Sequence, residues 1–169
     1  MTLNSRLAIG TVQFGMPYGV ANRTGQVTQH AAKAMLQMAA SAGIDTLDTA
    51  ITYGESETCL GQVGVQNFKL VTKLPAVPET CTDVSAWVQE QFNASLARLG
   101  VKDLYGLVLH RPQQLLEVGG VEIYESLQLL KTTGMVQKVG VSIYAPSELE
   151  ALTLKYRLDL IQAPFNLVD

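Results

Sequence analysis

The sequence is poor in cysteine and has no long run of apolar residues. Its only thiols are Cys59 and Cys81, too far apart for a CxxC redox or zinc pair. A membrane-spanning helix needs about 20 consecutive apolar residues, and no such run occurs. The opening residues, MTLNSRLAIG, lack the basic-then-apolar order of a secretory signal. We therefore expect a cytoplasmic protein with reduced thiols and no membrane partner.

Clusters of basic residues are also missing. Only 16% of the 169 residues are charged, and the net charge is −3. Nucleic acids and anionic membranes are bound by concentrated positive charge, so neither is expected as a partner. We also find no metal-binding motif. The apolar share of 47% is ordinary for one globular domain.

Short apolar runs alternate along the chain with stretches of helical periodicity. The runs are rich in Val, Ile, Leu and Thr, as is typical of strands that are buried on both faces. Six strands are predicted, at residues 7–15, 44–50, 68–74, 104–110, 137–144 and 158–166.

Helices are predicted between these strands. Thr28 is a candidate cap for the first long helix, Val84 to Leu99 covers a second, and a short helix fits between Ser56 and Gly64. Two further helices are predicted near residues 123–130 and from Pro146 onward. The predicted buried face of the first long helix consists of Ala34, Met35, Met38, Ala39 and Ala42.

Strict alternation of strands and helices implies a parallel sheet covered by helices. An open dinucleotide-binding sheet would carry GxGxxG after its first strand, but this chain has GTVQFG there. Each β/α unit takes roughly 30 residues, and a closed eight-unit barrel needs about 250. The sequence therefore predicts one α/β domain over residues 1–169, a (β/α)8 TIM-barrel type truncated to about six units.

Polar side chains stand at the carboxyl ends of the predicted strands. In a β/α barrel this rim surrounds the active site, because the βα loops meet there. The candidates are Asp48, Tyr53, Lys73, His110, Ser142 and Gln162.

Four of these residues suit the chemistry of carbonyl reduction. A tyrosine hydroxyl has an ordinary pKa near 10, and a neighbouring ammonium group such as that of Lys73 is expected to lower it. Asp48 would hold that ammonium in place, and a neutral His110 would donate a hydrogen bond to a carbonyl oxygen. Each residue alone has a simpler explanation: an exposed edge charge, a turn, a cap or a packing aromatic. The combination is harder to explain in that way.

The sequence resembles the aldo-keto reductase family. The resemblance is carried by GIDTLDTAITYGESETCLG, by the lysine of VTKL, by the histidine of LVLH, and by VGVS and IQAPFNLVD. The family pattern of Gly-x-x-x-x-Asp-Thr-Ala, Tyr-Gly, Ser-Glu and Leu-Gly is matched almost residue for residue. The likeness covers essentially the whole chain, but only the first three quarters of the family's barrel.

The resemblance implies a role for each matched residue. Tyr53 would be the general acid, Lys73 and Asp48 would tune it, and His110 would orient the carbonyl of a small substrate. It also implies NADPH as cofactor, with NADH possible. The implied cofactor-binding residues are Gly10, Thr11, Asp48, Ser142 and Gln162, the first two through their backbone.

Two features depart from the family. Ile143 stands where many members have an asparagine that contacts the nicotinamide carboxamide. Family members also bind most of their NADPH through loops after a seventh and an eighth strand, which this sequence does not contain. We therefore expect unpaired strand edges that favour self-association, and the activity of the chain alone is left open. The alternatives are a non-catalytic binding or regulatory protein and an inactive fragment on the same scaffold.

Overall fold

The computed structural model describes residues 6–165, in which six parallel strands form one curled sheet. The strands pair in chain order, each with the next. They are β1 (Ile9–Gly10), β2 (Thr46–Asp48), β3 (Lys69–Leu74), β4 (Leu104–Leu109), β5 (Val136–Ser142) and β6 (Leu160–Gln162). This arrangement is a truncated (β/α)n barrel and confirms the predicted fold class.

The helices cover one face of the sheet. They are α1 (Val12–Gly15), α2 (Gln29–Ser41), α3 (Ser56–Val63), α4 (Val84–Leu99), α5 (Gly120–Thr132) and α6 (Ser147–Lys155), with a 3-10 helix at Pro112–Leu116. The Thr28 side chain accepts a hydrogen bond from the backbone of Ala31 and caps α2 as predicted. None of these helices is long and apolar enough to cross a membrane.

Two predictions about local structure were wrong. The first predicted strand, residues 7–15, is a strand only at Ile9–Gly10 and then turns into α1, because an apolar run of this length fits either state. Of the predicted buried face of α2 only Ala39 is buried, whereas Ala34, Met35, Met38 and Ala42 are exposed, the two methionines at 49% and 74%. The buried residues of α2 are Ala32, Leu36 and Ala39. Both sets follow helical spacing, so periodicity alone did not distinguish the two faces. The end of the sixth predicted strand lies outside the described residues.

Alternation along the strands separates the core from the site. Side chains of a strand point to opposite faces in turn. On β3, Leu70 and Leu74 belong to the hydrophobic core, whereas Lys73 points to the other, concave face, where it meets Asp48 of β2. The register places the carboxyl ends of all six strands on one rim, as Gly10 pairs with Asp48 and Ser142 with Gln162.

Candidate active site

Lys73 lies at the centre of the rim and is 1% exposed. Its Nζ donates to both carboxylate oxygens of Asp48, at 2.7 and 2.9 Å, and to the carbonyl oxygen of Thr49 at 3.0 Å. These bonds use all three protons of an ammonium group. Burial lowers the pKa of Lys73, and the Asp48 carboxylate opposes that shift. A charge at this depth is retained only with such a partner.

Tyr53 lies on the turn between β2 and α3, beside this ion pair. Its ring centroid is 4.9 Å from Lys73 Nζ and 5.9 Å from the ring of His110, which it meets edge-on at 81°. The structure thus brings together the four residues that the sequence pointed to for carbonyl chemistry.

The pKa of Tyr53 differs from the sequence-based expectation. Burial, with smaller contributions from Asp48, Tyr144 and Tyr18, raises it from 10.0 to about 12. The expected lowering by Lys73 does not occur, because the lysine proton donors are all directed at Asp48 and Thr49 and its charge is balanced by the carboxylate. Within residues 6–165, no hydrogen bond joins the Tyr53 hydroxyl to Lys73. Tyr53 is therefore fully protonated at neutral pH.

His110 follows directly after β4, and its backbone N–H donates to the carbonyl oxygen of Leu74 at 2.9 Å. Its Nδ1 lies 3.1 Å from the hydroxyl oxygen of Thr52. If the Thr52 hydroxyl donates to Nδ1, the ring proton stands on Nε2 and is free to donate to a ligand. Thr52 was not singled out by the sequence, because nothing in its spacing relates it to a residue 58 positions later.

We expect the imidazole of His110 to titrate below 6.5, because burial and the Lys73 charge disfavour its protonation more than Asp48 favours it. The folded state then prefers the neutral ring. This preference contributes in full to the free energy of unfolding above pH 6.5. The contribution is lost as the pH falls from 6.5 through the lower pKa that His110 has in the folded state. An NMR titration of the two histidines measures this, with His110→Gln identifying the signal. A pKa at or above 6.5 would contradict the prediction.

Gln162 is the residue best placed to hold a cofactor amide. Its Nε2 donates to Asp48 Oδ2 at 3.2 Å, while its Oε1 is buried and has no hydrogen-bond partner. A buried carbonyl oxygen without a hydrogen-bond donor destabilises the fold, so a ligand that donates to this atom would remove that penalty. Gln162 and its strand partner Ser142 line one cleft of about 210 Å³ together with Tyr53, Lys73 and His110.

The other positions that the resemblance relates to the cofactor differ in which of their atoms are accessible. Gly10 is exposed, with nothing within 4 Å of the position that a Cβ would take. Thr11 is fully buried, and its hydroxyl and backbone N–H both donate to the Asp48 carbonyl. Its own carbonyl accepts from Phe14 and Ser56, so the backbone contact that the resemblance implied for Thr11 is already occupied within the chain. Ile143 is 4% exposed and packs in the core. Its side chain therefore gives no polar contact at the asparagine position.

Ser56 opens α3, the short helix predicted between Ser56 and Gly64, but its hydroxyl does not cap the helix, because Glu55 is the cap residue. The Ser56 hydroxyl instead contacts Thr11 and Thr49. The residues that the structure describes contain no cluster of His, Cys, Asp or Glu able to hold a metal ion.

A larger cleft, of about 490 Å³, lies at the opposite end of the strands. It is lined by the amino ends of β3 and β4, including Lys69 and Tyr105. Lys69 pairs there with Asp45, and both side chains are about half exposed. The volume of a cleft therefore does not indicate where the reactive groups are, because Tyr53, Lys73 and His110 all line the smaller cleft.

The parallel β/α half-barrel carries a tyrosine, a buried Lys–Asp pair and a histidine together at its carboxyl-end rim. The chain belongs to the aldo/keto reductase family, whose sequence profile matches residues 6–169. No curated protein sequence matches the chain.

Solved structures support the same fold. A Pseudomonas aeruginosa protein classed by inference as an aldo-keto reductase is 27% identical, with a TM-score of 0.80. A glycerol dehydrogenase of Gluconobacter oxydans is 25% identical, with a TM-score of 0.70. A Bacillus halodurans aldo-keto reductase in its holo form is 20% identical, with a TM-score of 0.74, and shows the fold alone. The chain is covered to 98%, 98% and 94%, but spans only 65%, 53% and 53% of these relatives.

Proposed function

We propose that this chain carries the catalytic rim of an NADPH-dependent reductase that converts an aldehyde or ketone to an alcohol. The observation that supports this best is the convergence of Tyr53, Lys73 and His110 on one cleft. Asp48 completes the group by holding Lys73. A proton donor and a hydrogen-bond donor on one side of a cleft suit an acceptor such as a carbonyl oxygen.

The substrate oxygen would accept hydrogen bonds from the Tyr53 hydroxyl and from His110 Nε2. Both bonds draw electron density toward the oxygen and make the carbonyl carbon more electrophilic. As hydride adds to that carbon, the proton of Tyr53 passes to the oxygen, and the product is an alcohol. The tyrosinate left behind lies beside the Lys73 ammonium, and it regains its proton from solvent.

The raised pKa of Tyr53 fits this scheme when the substrate is included. Burial is the main cause of the value of about 12. The alkoxide that forms as hydride adds to the carbonyl carbon is a stronger base than a phenolate, so it takes the proton in spite of the raised pKa. Tyr53 therefore keeps its proton at rest and gives it up only as negative charge develops on the substrate oxygen.

Gln162 and Ser142 would hold the carboxamide of a nicotinamide ring, with the free Gln162 Oε1 accepting from its amide N–H. NADPH, or alternatively NADH, supplies the hydride when bound. The exposed backbone at Gly10 and the carboxylate of Asp48 complete the residues assigned to this side of the cleft.

Calorimetric titration with NADPH, followed by an assay of carbonyl reduction, tests the proposal. We expect binding in the micromolar range and NADPH-dependent turnover of an aldehyde. Size-exclusion chromatography of the same sample tests whether a second copy assists, since β1 and β6 each pair on one side only within residues 6–165. Absence of binding up to millimolar NADPH would overturn the proposal for this chain and would favour a non-catalytic protein.

A further inference from the structure

Three hydroxyl side chains form a buried cluster beneath the rim. Thr11 follows β1, Thr49 follows β2, and Ser56 opens α3, and all three residues are 0% exposed. Ser56 Oγ lies 2.9 Å from Thr11 Oγ1 and 3.0 Å from Thr49 Oγ1. We refer to these three residues as the hydroxyl triad. It joins the ends of two strands to the start of a helix.

The hydrogen bonds of the hydroxyl triad leave none of its protons unused. Thr11 Oγ1 donates to the Asp48 carbonyl oxygen at 2.9 Å, and Ser56 Oγ donates to the Thr11 carbonyl oxygen at 2.8 Å. The two contacts between the hydroxyls bring the total to four, but three hydroxyls carry only three protons. One proton is therefore shared, and removal of the Thr49 hydroxyl leaves Ser56 Oγ without its most available donor.

The triad bears directly on the catalytic ion pair. The Asp48 carbonyl oxygen accepts from both the hydroxyl and the backbone N–H of Thr11, each at 2.9 Å. The Thr49 carbonyl oxygen accepts the third proton of Lys73 at 3.0 Å. The backbone that the triad fixes is thus the backbone that carries Asp48 and orients Lys73.

The triad also bears on Tyr53. The backbone N–H of Ser56 donates to the Tyr53 carbonyl oxygen at 3.1 Å, which closes the turn. The turn is also in close contact with Gly15, the last residue of α1. A Cβ at Gly15 would lie only 1.7 Å from the same Tyr53 oxygen, so there is no room for a side chain there. Tyr53 is therefore held between a close backbone contact on one side and the hydroxyl triad on the other.

We propose that Thr11, Thr49 and Ser56 are positioning residues that fix the Tyr53 phenol relative to the Lys73 ammonium. Apolar side chains of the same volume would fill this space equally well, but hydrogen bonds impose directions that packing does not. The catalytic role of these three residues rests on the proposed function. The coupling of the hydroxyl triad to the titration of Tyr53 and His110 can be measured without turnover.

Thr49→Val tests the coupling, because valine keeps the volume and removes the hydroxyl. We expect the pKa of Tyr53 to fall from about 12 toward its ordinary value of 10.0, since a loosened turn admits water and frees Lys73 to approach the phenol. The pKa of His110 should rise toward 6.5. NMR of isotope-labelled tyrosine resolves the six phenols, with Tyr53→Phe identifying the signal. Thr49→Ser keeps the hydroxyl and should restore both values.

Ser126→Ala is the matched control. Ser126 is also buried, at 7% exposure, and donates to the Glu122 carbonyl oxygen within α5, away from the rim. It should lower the melting temperature but leave both pKa values unchanged. If Thr49→Val does not fold, Ser56→Ala, which introduces no larger group, is expected to give the same shifts. Unchanged pKa values in a folded Thr49→Val or Ser56→Ala protein would overturn the proposal, whether or not the wild-type chain reduces carbonyls.

Discussion

Tyr53→Phe is expected to lower kcat/KM for carbonyl reduction by about 10² to 10⁴-fold, the usual contribution of a positioned proton donor. The change removes one oxygen atom and leaves the ring in place between Lys73 and His110. The affinity for NADPH should be unchanged, because the atoms assigned to the carboxamide belong to Gln162 and Ser142. Steady-state kinetics and calorimetry on the same preparation measure the two quantities.

Tyr105→Phe provides the matched control. Tyr105 lies near the amino end of β4, at the opposite end of the strands from the rim, and lines the larger cleft. This variant should retain full activity. If Tyr53→Phe also retained full activity, Tyr53 would not be the proton donor, even if the protein proved to be a reductase.

Lys73→Met should be the most destabilising of the single substitutions at the site, with a loss of about 3 to 5 kcal/mol in the free energy of unfolding. Methionine fills most of the lysine volume, so packing is largely kept. Asp48 would lose both of its hydrogen bonds to the ammonium, and the Thr49 carbonyl would lose its donor. The result is a poorly solvated carboxylate without a counter-charge, its remaining side-chain donor being the neutral amide of Gln162. Urea denaturation of the wild type and the variant measures the loss.

The same strand offers a matched control for this prediction. Lys69 begins β3 and pairs with Asp45 at 2.7 Å, but the two side chains are 51% and 48% exposed. Lys69→Met should leave the midpoint of denaturation nearly unchanged, because water replaces the lost partner. The double variant Lys73→Met/Asp48→Asn should recover part of the lost stability. Equal losses for Lys69→Met and Lys73→Met would show that burial does not decide the contribution of the pair.

Much of the fold was predictable from local sequence. Strict alternation of apolar runs and helical stretches was enough to predict a parallel β/α architecture, and Thr28 was correctly predicted as a helix cap. The buried face of α2 was not predictable, because Met35 and Ala39 fit helical spacing equally well. Which one is buried depends on how the helix lies on its neighbours. The length of the first strand was overestimated for a similar reason, because a short apolar run fits a strand or a helix.

The site was predictable in its residue types but not in its energetics. The carboxyl ends of parallel strands must meet on one rim, so Asp48, Lys73 and His110 were expected to lie close together. The direction of the Tyr53 pKa shift was predicted wrongly from proximity to a lysine. It depends on burial and on where the lysine protons point, and neither is encoded in spacing.

The sequence by itself determined the parallel β/α architecture and the set of polar side chains at its rim, because both follow from periodicity within short segments. Only the tertiary structure decided how those side chains act on one another. Ser56 and Thr11 stand 45 positions apart in the chain, yet their hydroxyl oxygens lie 2.9 Å apart. Charge balance, solvation and hydrogen-bond direction depend on such distances, and they are fixed only when the strands are assembled.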